Sequence, residues 1–194
     1  MKSITKSDIT AVILSGGQAT RMNGQDKGLV LFKDKPLISY IVNTIHKHVD
    51  SILVSANKNL DLYQKFGRVI PDDLANFQGP LAGISKAINV SNTQYLLVLP
   101  CDGPFIHTIL LERLTQAMQQ HNTTICVASD GDKIQPTFAL INTNIKNRLD
   151  QYLASGNRKL GKFFIENKAI TVDFCDYSKM FINLNSPQDL SDAG

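Results

Sequence analysis

Five short apolar runs recur along the chain, at Ile9–Leu14, Ser51–Ser55, Arg68–Ile70, Tyr95–Leu99 and Thr124–Ala128. None alternates with a period of two, so each reads as a strand covered on both faces, the signature of a parallel sheet flanked by helices. The segments between them have helical spacing. Pro36–His48 places Leu37, Ile41, Val42 and Ile45 on one face with Pro36 in the first turn, and Phe105–Gln120 does the same with Ile106, Ile109, Leu110, Leu114 and Met118. Beyond Gly131 the rhythm changes, predicting a strand near Ile134–Leu140, a helix near Asn144–Ser155, a short helix after Arg158, and strands near Ile170–Phe174 and Met180–Ile182. Ser186-Pro187-Gln188-Asp189 has the spacing of a capping box with proline inside it, which marks a helix start. The predicted fold class is α/β, a three-layer α/β/α sandwich around a mostly parallel sheet. No repeat, low-complexity stretch or linker interrupts the pattern, so residues 1–194 are expected to form a single domain with 1–8 as a flexible N-terminus.

Composition changes this picture little. With 194 residues, 43% of them hydrophobic and a charged fraction of 19%, the chain can bury one core and is too weakly charged for a disordered or polybasic segment. Its three cysteines, Cys101, Cys126 and Cys175, form neither a CxxC pair nor an even-numbered framework, which points to a reducing cytoplasm. Met1–Thr10 is polar, unlike a signal peptide, and the apolar runs fall far short of the roughly 20 residues that span a bilayer. No membrane or nucleic-acid partner is expected, since there is no basic stripe and no Trp. Charge by region says more. Residues 1–35 hold six bases and three acids, so the whole net charge of +3 sits there and suggests an anionic ligand.

The first strand runs into Ser15-Gly16-Gly17-Gln18-Ala19-Thr20-Arg21-Met22-Asn23-Gly24-Gln25-Asp26-Lys27-Gly28, with four glycines and two cations in fourteen residues. Such a loop can cradle phosphate, because glycine lets backbone N–H groups approach the oxygens while Arg and Lys neutralise charge. It is neither a Walker A motif nor a GxGxxG fingerprint, and by itself it reads equally as a flexible turn. Two later strands also end in acids: Val69-Ile70 leads to Pro71-Asp72-Asp73, and Leu97-Val98-Leu99 leads to Pro100-Cys101-Asp102. Ligands in open α/β sheets bind at this carboxyl edge, and one carboxylate with substrate phosphates is a usual Mg²⁺ site. A helix-capping role for Asp102 is the competing reading. Gln78-Gly79-Pro80-Leu81-Ala82-Gly83 opens another helix, whose N-terminus can face an anion.

Taken in order, Leu14-Ser15-Gly16-Gly17, Arg21-Met22, Asp26-Lys27-Gly28, Gly79–Gly83, Pro100-Cys101-Asp102, Gln135-Pro136-Thr137 and Asn183-Leu184-Asn185-Ser186-Pro187 resemble the molybdenum cofactor guanylyltransferases, from about residue 9 to residue 190. The resemblance implies a Rossmann-like domain that transfers GMP from GTP to the terminal phosphate of molybdopterin, releases pyrophosphate and uses Mg²⁺. It further implies that Leu14, Ser15, Gly16 and Gly17 contact the nucleotide through the backbone, that Arg21 and Lys27 bind the triphosphate, and that Asp72 holds the guanosine. Asp102 would hold the metal. Gly79, Gln135, Pro136, Thr137, Asn183 and Asn185 would lie toward the pterin, and other molybdenum-cofactor biosynthesis proteins would be transient partners.

The chemistry agrees with these roles. The attacking group is already an ionised phosphate and needs no general base, so catalysis reduces to positioning and charge neutralisation. His46, His48, His107 and His121 then read as surface or helix residues, and Cys101 as a small packing residue. The chain departs from the family pattern at Ser15, where Ala is usual, and at Ser55, where an Asn usually helps hold the nucleoside; Asn57 is two residues away. A molybdopterin cytidylyltransferase, a sugar-phosphate nucleotidyltransferase and a non-catalytic nucleotide-binding module are the alternatives, the last disfavoured by retention of both Lys27 and Asp102.

Overall fold

The computed structural model describes residues 3–16, 26–71 and 79–193. Its strands are β1 (Ile9–Leu14), β2 (Leu31–Phe32), β3 (Lys35–Pro36), β4 (Ser51–Ser55), β5 (Arg68–Ile70), β6 (Tyr95–Pro100), β7 (Ile125–Ser129), β8 (Ile134–Asn142) and β9 (Ile170–Asp173). Its helices are α1 (Leu37–Ile45), α2 (Leu60–Tyr63), α3 (Pro80–Val90), α4 (Ile109–His121), α5 (Lys146–Ala154), α6 (Leu160–Glu166) and α7 (Pro187–Asp192). Among the described residues, seven strands form one sheet in the order β5-β4-β1-β6-β8-β7-β9. All are parallel to their neighbours except β8, which runs antiparallel to both β6 and β7.

The apolar strand runs are explained by burial on two sides. Ala11 and Ile13 of β1 join a cluster with Ile38 and Ile41 of α1 and Leu110 and Leu114 of α4. Val12, between them, faces Leu81 and Ile84 of α3 within a second cluster that also holds Leu149 of α5 and Phe163 of α6. Alternate residues of one strand therefore feed two cores, which is why no period of two is visible. The result is the three-layer α/β/α sandwich expected.

A third, smaller cluster joins Phe32, Leu37 and Leu184, with Phe105 and Leu190 against it. It matters for the site, because it docks the segment after residue 182 against the segment after Lys27. The β2–β3 hairpin that supplies Phe32 turns at Lys33 and Asp34, both with positive φ (47° and 62°), the backbone of a tight two-residue hairpin turn.

Two expectations need correction. Helix α4 begins at Ile109 rather than Phe105: the Asp102 carbonyl instead accepts the Leu184 N–H at 2.9 Å, and the His107 Nδ1 accepts the Ile109 N–H at 3.1 Å as a local cap. Met180–Ile182 is not a strand. Asp173 Oδ1 accepts the Cys175 N–H at 3.0 Å, which turns the chain at once into a 3-10 helix over Cys175–Phe181. Phe181 then packs edge-on against Phe138 and Phe174 instead of lengthening the sheet. The strand after Gly131, whose direction the sequence left open, is antiparallel to both neighbours in the mostly parallel sheet expected.

Candidate active site

Parallel pairing brings the carboxyl ends of β1, β4 and β6 to one edge, so Leu14 stands beside both Ser55 and Pro100. The antiparallel β8 delivers its beginning to the same edge, since Val98 pairs with Ala139. That direction is what places Gln135, Pro136 and Thr137 near the end of β6 rather than at the far side of the sheet.

Asp102 follows β6 and is only 7% exposed. Its Oδ2 lies 3.5 Å from Lys27 Nζ. The ammonium also donates to Asn185 Oδ1 at 2.5 Å, so residues 27, 102 and 185 converge on one point. Burial raises the Asp102 carboxyl above its ordinary range, and the attraction of Lys27 opposes that rise. Among the described residues no three His, Cys, Asp or Glu side chains converge as a metal cage. A single nearly buried carboxylate nevertheless suits Mg²⁺, which takes its remaining oxygens from phosphates and water.

The Asn183–Asn185 turn is held by α7. Ser186 caps the helix, Pro187 takes its first position, and Asp189 accepts the N–H groups of Asn185 (2.7 Å) and Ser186 (2.9 Å). Those two donors, with the Ser186 hydroxyl, lower the Asp189 carboxyl below its usual range. The capping box was legible in the sequence as a helix start; its link to Asn185, and through Asn185 to Lys27, was not. Asn183 Oδ1 is buried without a hydrogen-bond partner among the described residues, next to Gly103.

Ser15 donates its backbone N–H to Ser55 O at 2.8 Å, which ties the start of the glycine loop to β4. Its hydroxyl is buried against Tyr63 and Cys101 and makes no hydrogen bond of full geometry. Ser55 is 3% exposed beneath α3, where a Cβ on Gly83 would come within 2.4 Å of its Oγ and 3.1 Å of Leu14 Cδ2. Glycine at 83 is therefore what lets α3 close over the carboxyl ends of β1 and β4. Gly79 caps α3 with φ 73°, and Pro80 follows at the first helical position. Asn57 is exposed just beyond β4. Gln135 donates to Asp130 at 2.6 Å, and Pro136 lies close to Gly161 of α6. Gly17, Arg21 and Asp72 lie outside the described residues.

Cys101 is buried and its thiol is pushed far up, first by desolvation, so it is a packing group and not a nucleophile. His46, His48, His107 and His121 are all exposed.

The MobA-like NTP transferase domain matches residues 11–170. The molybdenum cofactor guanylyltransferase of Histophilus somni strain 2336 is 43% identical over 183 residues, covering 94% of each chain, and that of Vibrio parahaemolyticus is 40% identical over 94% of this chain and 93% of its own. The chain belongs to the molybdenum cofactor guanylyltransferase family. Solved structures agree at the level of fold. Molybdopterin-guanine dinucleotide biosynthesis protein A from Archaeoglobus fulgidus superposes with a TM-score of 0.76 at 21% identity, over 95% of this chain and 96% of that one. The 4-diphosphocytidyl-2C-methyl-D-erythritol synthase of Anaerococcus prevotii gives 0.74 at 16%, over 97% and 95%. In this member of the family, Ser15, Asp102 and the Asn183–Asn185 turn lie at the carboxyl edge of the sheet.

Proposed function

We propose that the chain transfers the GMP group of GTP to the terminal phosphate of molybdopterin, forming the guanine dinucleotide cofactor. A phosphate oxygen of molybdopterin forms the new bond to the α-phosphorus, the α–β anhydride bond breaks, and pyrophosphate leaves. The observation that carries this reading is the meeting of Lys27, Asp102 and Asn185 at the carboxyl edge of β6, in a family named for this transfer. Lys27 and Arg21 bind the triphosphate and neutralise the charge that builds on the departing pyrophosphate. Asp102 holds Mg²⁺, which when bound screens the phosphates from one another. Leu14, Ser15, Gly16 and Gly17 contact the nucleotide through the backbone, and Asp72, with Ser55 and Asn57, serves the guanosine. Gly79, Gln135, Pro136, Thr137, Asn183 and Asn185 form the pterin side. No side chain removes a proton from the nucleophile, because a phosphate is already ionised.

Free cysteines, two of them buried, suit the reducing cytoplasm, and no described helix is long and apolar enough to cross a membrane. Transient contact with other molybdenum-cofactor biosynthesis proteins supplies molybdopterin and removes product. The test is incubation with molybdopterin, Mg²⁺ and each nucleoside triphosphate in turn. GTP alone should yield the dinucleotide and pyrophosphate; equal yields from CTP or ATP would overturn the base assignment, and no product from GTP would overturn the reaction.

A further inference from the structure

Asp26 immediately precedes Lys27 in the chain, and both oxygens of its carboxylate are engaged by the short helix α2 and its N-cap residue, Asn59. Tyr63 donates its hydroxyl to Oδ1, and Asn59 Nδ2 donates to Oδ2 at 3.2 Å. Tyr63 has no exposed surface, so its hydroxyl exchanges water for this one carboxylate. Desolvation, then the neighbouring Cys101 thiol and Asp26, holds the phenol far above its ordinary range, which keeps it a donor. Asn59 sits in the left-handed region at φ 51°, where Asn is among the few residues tolerated, and its side chain is thereby turned back onto Asp26.

The backbone is clamped from behind as well. A Cβ on Gly28 would stand 2.7 Å from Tyr63 Oη and 3.1 Å from Cys101 Cβ, so the chain at 26–28 is pressed between the tyrosine and the end of β6. The residue after Cys101 is Asp102, the second partner of the Lys27 ammonium. Released from α2, the Asp26 carboxylate would lie one residue from that ammonium, competing with Asp102 and Asn185 for it and repelling an incoming triphosphate.

We propose that Asn59 and Tyr63 are positioning residues for the nucleotide site: by occupying both oxygens of Asp26 they turn its charge away and fix Lys27 where it can meet the triphosphate. Both act on Lys27 through Asp26. This inference deepens the proposed function and rests on Lys27 being the cation that binds phosphate.

The experiment uses the full chain with Tyr63→Phe, Asn59→Gly and Lys27→Ala, each alone, and the first two combined with the third. Phe keeps the buried ring and loses one oxygen, while Gly keeps the left-handed backbone and loses only the donor. GTP and guanosine binding are measured by calorimetry, and KM and kcat by pyrophosphate release. Each positioning variant should raise the KM and Kd for GTP about tenfold, as expected for loss of a hydrogen bond to a charged group. Guanosine affinity should stay unchanged, and the effect should shrink below about twofold in the Lys27→Ala background, because coupled residues do not add. An equal loss of guanosine affinity, or a full effect without Lys27, would show general loosening of the fold and overturn the proposal. Lys27→Ala read alone separates the two claims: if it leaves GTP affinity intact, the phosphate role of Lys27 fails and the positioning role falls with it. If it weakens GTP while Tyr63→Phe and Asn59→Gly do not, only the positioning role is overturned.

Discussion

Replacing Asp102 by Asn separates what the carboxylate does for function from what it does to stability. At 3.5 Å from Lys27 Nζ, the ion pair is worth about 5 kcal/mol at an effective dielectric near 20. Against this stands desolvation of a side chain only 10% exposed, which costs several kcal/mol. The direction of the carboxyl's shift decides between them: it is raised despite Lys27, so desolvation is the larger effect. A raised folded-state value means that the folded chain holds this proton more tightly than the unfolded chain does. Asp102 therefore destabilises the ligand-free protein once it ionises, and the penalty disappears as pH falls below the ordinary carboxylate range near about 4. Asn removes the charge at nearly constant volume, and Lys27 keeps both Asn185 and water, its own side chain being 29% exposed. In EDTA at neutral pH, Asp102→Asn should melt between 0 and about 4 °C above the parent, corresponding to about 0–1 kcal/mol for a chain of this size. The same variant should lose at least about 100-fold in turnover, the scale of removing one electrostatic element from a transition state. Differential scanning fluorimetry and a pyrophosphate-release assay check the two halves. A melting point more than about 4 °C lower would refute the balance of desolvation and attraction, and turnover within threefold of the parent would refute the metal role.

Two further outcomes test the surroundings of the site. Ser15→Ala removes a buried hydroxyl that lacks a full hydrogen bond, so chemical denaturation should show a gain of about 1 kcal/mol; a loss would mean that the hydroxyl has a partner in solution. The Asp189 carboxyl is depressed by the N–H groups of Asn185 and Ser186, so its stabilising contribution is present above the ordinary carboxylate range and is lost as pH falls through the depressed value. Asp189→Asn should accordingly flatten the acid side of a stability profile measured from pH 6 to pH 2, and an unchanged acid slope would count against that hydrogen-bonded role.

How far the sequence carries depends on which residues are asked. The buried runs ending at Leu14, Ser55, Ile70 and Leu99 were visible as strands because burial on two faces makes them continuously apolar. The direction of β8 was not visible, since an antiparallel strand between two buried neighbours carries the same kind of residues. Helix α2, only four residues long, is too short to show a period, and the signal at Asn59 is a backbone angle that composition does not encode. Met180 and Phe181 looked like a strand because they are adjacent and apolar; they instead end a 3-10 helix, with Phe181 packed onto Phe138. Of the site, Lys27 and Asp102 stood out through their place after buried strands. Their contact with Asn185 depended on the small Phe32, Leu37 and Leu184 cluster, which joins residues from opposite ends of the described chain and has no local signature.

That long reach has a consequence for how the chain becomes active. The hydrogen bond from Lys27 to Asn185 closes a separation of 158 residues, twice that between Lys27 and Asp102 at 75. Contacts of such separation form late, because the loop-closure entropy must be met before they contribute. On the ribosome, β5-β4-β1-β6 can pair from residues made before 101, whereas the Leu184 N–H reaches the Asp102 carbonyl only after the chain is nearly complete. The meeting of Lys27, Asp102 and Asn185 is thus completed only when residues 183–189, among the last to be made, fold back onto the start of the chain.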